Sequence, residues 1–177
     1  MAVLWRYGFG VSSAVYCILA SALVVITFID LDFQIIPDRI TLTGTPLGLL
    51  AGSFLLPDPF LRAAPLGYLS SVIGSVSGFS FFFLVMYLSL KILKKEGMGG
   101  GDVKMMAMVG AFLGWRGVLL TVFLGSLAGS IVYLPALLRR ERHREVPFGV
   151  YLGLGGVLSL AFGEALLRWY AAFVFGS

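Results

Sequence analysis

From Val11 to Ile29 the chain runs through nineteen residues without a charge, and from Leu66 to Leu90 through twenty-five more. A further uncharged run joins Gly117 to Leu138. The hydrocarbon core of a bilayer is about 30 Å thick, so about 20 apolar residues in an α-helix cross it. In lipid every backbone N–H and C=O must be paired within the protein, which leaves helices or a closed barrel. Unbroken apolar runs of this length fit the helix. Composition agrees: 59% of the residues are hydrophobic and 12% are charged, against about 25% charged in soluble domains.

The expectation is therefore an all-α, polytopic membrane helix bundle. About six transmembrane segments are expected, near 11–29, 40–56, 66–92, 103–115, 117–138 and 148–173. They form one membrane-embedded domain over 1–177, with no room for a separate soluble one. The fourth segment is short. Thirteen residues rise only about 20 Å, so the Gly-rich loop before it, EGMGGGDVK at 96–104, is expected to dip below the membrane surface. Non-helical backbone at that depth must be buried in protein or line a watery cavity. The run from Val11 to Ile29 is too long for the apolar part of a signal peptide and ends in acids rather than a cleavage site.

The net charge of +4 reports topology and not nucleic acid, because Lys and Arg collect on the cytoplasmic side of a membrane protein. One set of loops holds Arg39, Lys91, Lys94, Lys95, Lys104, Arg139, Arg140, Arg142 and Arg144. The other holds Arg6, Arg62 and Arg116, with Arg168 near the last end. The first set is expected to face the cytoplasm. Cys17 stands alone in an apolar run and His143 in a charged one, so no metal site, no cofactor, and neither a Ser–His nor a Cys–His mechanism is expected. The Gly-rich loop is no phosphate cradle, since Lys104 follows the acid and no strand precedes it.

Four acids remain. Asp30, Asp32 and Asp38 cluster after the first segment, and Asp102 closes the Gly-rich loop. An ionisable group in a membrane span is costly to bury and is a functional candidate by default. Asp30 ends one span and Asp102 begins another. Asp38 follows Pro37 and has the position of a cap on the second segment. Two facing carboxylates cannot both ionise easily, so they share one proton. Such a pair can hydrolyse a peptide bond without a covalent intermediate: one member takes a proton from water and the other donates a hydrogen bond to the carbonyl. Lys104 is placed either to tune that pair or simply to mark topology.

These residues resemble the bacterial prepilin peptidases, or type IV leader peptidases, of the Gly-x-Gly-Asp membrane aspartyl proteases. FIDLDFQIIPD resembles the family's first aspartate motif, with Asp30 followed seven positions later by Pro37. EGMGGGDVKM resembles the second, with Asp102 as its aspartate and Gly99 and Gly101 in the active-site loop. VPFGVYLGLGG, at 146–156, resembles its C-terminal Pro-Phe-Gly segment. The resemblance implies an aspartic endopeptidase of the bacterial inner membrane, with Asp30 and Asp102 catalytic. It implies cleavage after glycine at the cytoplasmic membrane face. The substrates would be prepilin or pseudopilin precursors with a basic leader and an apolar helix, used in type IV pili or type II secretion. Asp32, Asp38 and Glu96 are then candidates for leader binding. Bifunctional members carry an N-terminal cytoplasmic region for N-methylation. That region is not seen in these residues, so methyl transfer is not expected of them. The alternatives are a proton-coupled transporter using the same two acids and a non-catalytic subunit of a membrane assembly.

Overall fold

The computed structural model describes residues 10–60, 65–94, 98–138 and 147–176. They form helices α1 (Val11–Phe33), α2 (Asp38–Phe54), α3 (Tyr68–Leu88), α4 (Gly100–Leu138) and α5 (Phe148–Phe175). A short π-helical turn, Ser89–Leu93, extends α3. No strand occurs among the described residues, only an isolated bridge between Pro57 and Pro65.

Among the described residues four helices are long and apolar enough to cross a membrane: Val11–Phe33, Tyr68–Ile92, Gly100–Val132 and Phe148–Val174. The expected number, about six, is too high by this measure. α2 has 17 residues and low apolarity, and the expected fourth and fifth segments fall within α4. A single residue interrupts α4. Gly114 has φ 69° and ψ −177°, a conformation essentially reserved for glycine. Met106 and Val118 both approach Gly78 on α3, although a straight helix would hold them about 18 Å apart. The chain therefore doubles back at Gly114, giving α4 a first arm that begins at Gly100 and a second that ends at Leu138.

Lipid tails are as apolar as leucine, so helices in a bilayer are held by close packing more than by exclusion of water. Gly74 on α3 and Gly110 on α4 lie backbone to backbone, and a Cβ on either would collide with the other's carbonyl. A second seam joins the other arm of α4 to α5, where Gly155 sits against Gly125 and the Thr121 carbonyl. Between the seams lies a core of Tyr16, Leu23, Ile26, Met105, Met106, Leu113 and Leu152.

The bundle has two distinct ends. At one end Ser12 donates to the Leu55 carbonyl at 2.9 Å and Tyr16 to that of Pro57 at 2.7 Å. There Asp58 is paired with Arg116 at 3.2 Å, and the guanidinium lies over the Trp115 ring. The opposite end collects the end of α1, the starts of α2, α4 and α5, and the end of α3.

Candidate active site

α1 stops just past Asp30 because the chain turns left-handed at Gln34 (φ 55°), whose N–H reaches the Asp30 carbonyl at 2.9 Å. The chain then runs extended to Pro37, which precedes the first residue of α2. This turn carries Ile36 under the mouth of α4, where its Cβ leaves no room for a side chain on Gly101. α4 opens from Gly99, whose carbonyl accepts the Asp102 N–H at 3.2 Å. The backbone amide of Gly99 faces the Asp102 carboxylate, and that of Val150 faces Asp30. α5 opens at Pro147, fixed in extended geometry before the helix. The Phe148 ring stacks on Phe82 of α3 and sets where the first turn of α5 lies.

Those three helix ends bring two carboxylates together. A methyl group built on Gly149 would stand 2.5 Å from Asp30 Oδ2, 2.7 Å from Asp102 Oδ1 and 3.0 Å from Ile36 Cδ1. Both oxygens therefore border one methyl-sized space. The two residues are 4% and 6% exposed, and these same two oxygens lack a hydrogen-bond partner. Buried polar atoms are rarely left unpaired, so an orphaned pair calls for an explanation. Asp30 comes from the C-terminal end of its helix and Asp102 from the N-terminal end. The pair opens into a cleft of about 930 Å³. Its walls are the Gln34–Ile36 turn, the Met98–Gly101 stretch, the start of α5, and Ser126, Gly129 and Ser130 on the second arm of α4.

Residues 17–134 match the model of the type IV leader peptidase family. The chain belongs to that family. It is 39% identical over 166 residues to a prepilin leader peptidase/N-methyltransferase of Aeromonas salmonicida, an alignment covering 92% of this chain and 53% of the relative. The protein of the same name from Pseudomonas aeruginosa is 36% identical over 176 residues, covering 97% and 57%. That from Xanthomonas campestris is 31% identical over 175, covering 98% and 58%. The chain thus spans about half the length of the curated relatives it matches. No solved structure matches it.

The other residues singled out in this leader peptidase family member fall as follows. Asp38 caps nothing: Pro37 holds the N-cap position, and Asp38 is the first helical residue with no side-chain bond to the backbone. Instead both its oxygens accept from Lys104 Nζ at 2.7 Å. Lys104 thus reaches across to α2. Asp38 lines the cleft, whereas Asp32 is exposed and lies outside its lining. Glu96 lies outside the described residues. Gly101 is needed bare by the Ile36 contact. Gly99 has open space around it, with only ordinary contact to Asp102, so its contribution is through the backbone. Among the described residues no group of His, Cys, Asp and Glu could hold a metal ion.

Gly149 is the position that sequence reasoning leaves unassigned. The available signal is the Pro147-Phe148-Gly149 segment, which carries the family resemblance without showing which residue meets the acids. Ile36 was equally silent, being one apolar residue among many.

Proposed function

We propose that the chain is an aspartic endopeptidase that removes the leader from type IV prepilin-like precursors, with Asp30 and Asp102 as the catalytic pair. The observation that carries this reading is the pair of unpartnered, buried carboxylate oxygens converging over Gly149. The proton inventory of that pair suits amide hydrolysis. One carboxyl is ionised and removes a proton from a water held between the two. The other, protonated, donates to the scissile carbonyl oxygen as the water oxygen bonds to the carbonyl carbon. The tetrahedral species then breaks its C–N bond: the carboxyl that gained the proton passes it to the leaving amine, and the carbonyl re-forms as its O–H proton returns to the carboxylate that gave it. No covalent enzyme intermediate is involved.

Cleavage after glycine is part of the same reading: a residue without a side chain fits best where two carboxylates crowd the backbone. Leader recognition is assigned to Asp32, Asp38 and Glu96. Exposed ion pairs are worth about 0.2–1 kcal/mol each, so these acids would guide a basic leader more than anchor it. Asp38 would exchange Lys104 for a leader cation. The assignment covers cleavage alone; the methyl transfer in the relatives' names lies outside it. The test is direct. The purified chain incubated with a precursor pilin yields a product lighter by the mass of the leader, and an unchanged mass would reject the reading.

The cleft is placed at the cytoplasmic face. In support, Arg39, Lys91, Lys94 and Lys104 lie at the end of the bundle that holds the acids, and the positive-inside rule puts that end in the cytoplasm. In a Cys17→Ala background, Lys91→Cys is expected to react with an impermeant thiol reagent only from the cytoplasmic side, and Pro65→Cys only from the outside. Labelling of both from one side would reverse or dissolve this orientation.

A further inference from the structure

The second arm of α4 carries Ser126, Gly129 and Ser130 at helical spacing, so the three share one face. That face forms a wall of the cleft, beside Tyr151. Ser126 and Ser130 are exposed, and the Ser130 hydroxyl donates to the Ser126 carbonyl at 2.8 Å, so this hydroxyl is satisfied at membrane depth. The glycines at the helix seams are filled from within: Gly110 by Gly74, Gly125 by Tyr151 and Leu152, Gly155 by Thr121. Gly129 is buried against the Tyr151 ring, which a Cβ there would meet at 3.5 Å, an ordinary contact, so of the three only Ser126 and Ser130 are open to a partner. The small face is bordered by exposed Phe123, Leu127 and Ile131. Asp30 and Asp102, nine-tenths buried, with their unpartnered oxygens, line the same cleft.

We propose that the exposed Ser126–Ser130 face is the docking surface for the apolar helix of the substrate, laid against the second arm of α4 so that its N-terminal end enters the cleft. This rests on the peptidase reading and adds the route of the substrate. Small residues let helix backbones approach closely, which is the main source of helix affinity in lipid. The occupant is a membrane helix because the face lies on the second arm of α4, part of a helix apolar enough for a membrane, and its flanks are apolar. Because this face and the two carboxylates line the same cleft, a helix seated there brings its N-terminal end to the acids, so docking and positioning of the scissile bond are one event.

The experiment uses the full chain in lipid bilayers. With Asp102→Asn to prevent turnover, a benzophenone amino acid in place of Ser130 is illuminated with bound precursor. The expected product is a covalent adduct of chain and precursor, mapped by peptide mass to the apolar helix. The same probe in place of Ile73, exposed on α3, should give none. An adduct mapped to the leader or to a second copy of this chain, an equal yield from Ile73, or no adduct from bound precursor would overturn the proposal. In the active chain, Ser126→Leu and Ser130→Leu should each raise KM for the helix-bearing precursor about tenfold. They should lower by the same factor its advantage in kcat/KM over a peptide that spans the junction but lacks the helix. An unchanged advantage would also overturn it. Failure of the wild-type chain to cut either substrate would instead reject the peptidase reading, and the crosslink would still report docking.

Discussion

Asp30→Asn and Asp102→Asn are each expected to reduce precursor cleavage by about a thousandfold or more, the scale at which loss of one member of a concerted catalytic set acts. Asparagine matches aspartate in shape but can neither accept the proton of water nor give one to a departing amine. Insertion and folding should survive, since removing a charge from so buried a position relieves a desolvation cost rather than adding one. Asp32→Asn is the matched control. It lies on the same helix as Asp30 but is exposed and outside the cleft lining, so it should retain cleavage with at most a modest rise in KM. The measurement is the rate of leader release, with thermal unfolding in detergent to show that each variant is folded. Wild-type rates in either buried variant would remove the pair from the chemistry.

Gly149→Ala is expected to lower kcat about a hundredfold, the size of effect that a displacement of about 1 Å can have on catalytic groups. The added methyl would stand 2.5 Å from Asp30 Oδ2 and 2.7 Å from Asp102 Oδ1, well inside van der Waals contact, so the carboxylates must part. The helix itself should not suffer, because alanine favours helix over glycine by up to about 1 kcal/mol. A stable but inactive protein is therefore the predicted phenotype. Gly100→Ala is the control, since no atom lies within 4 Å of a Cβ built there, and it should leave the rate near wild type. Equal activity in the two variants would mean that Gly149 does not set the spacing of the acids.

The comparison of these residues shows what the sequence makes legible. Long apolar runs and acids at their ends are local features. Asp30, Asp102, the Gly-rich entry to α4 and the turn near Gly114 can all be located from them. Which face of each helix points inward cannot. Leu23 is fully buried and its neighbour Val24 is 41% exposed, yet both are aliphatic, because a helix in lipid carries apolar residues on both sides. The usual amphipathic signal is therefore absent, and with it any indication that Gly149 of α5 would lie over the two acids. The number of spans erred for a related reason. Hydrophobicity marks apolar stretches, but α2 is too short and too polar to count as one by the same measure, and the two stretches that meet at Gly114 count together as one helix. The pairing of Asp38 with Lys104 was hidden by distance along the chain, and the local rule for helix caps pointed instead to Asp38 as a cap.

The reversal at Gly114 and the late position of Gly149 also order events during synthesis. Asp30 leaves the ribosome first, Asp102 follows much later, and α5 comes last. Until Phe148 reaches Phe82 and α5 packs along the second arm of α4, neither the floor beneath the carboxylates nor the Val150 amide facing Asp30 is in place. A nascent chain that already contains both acids therefore has no finished cleft. On the proposed reading, a ribosome that stalls or a chain that is cut short leaves an inert fragment in the membrane, and proteolytic competence begins only when the last helix has been inserted.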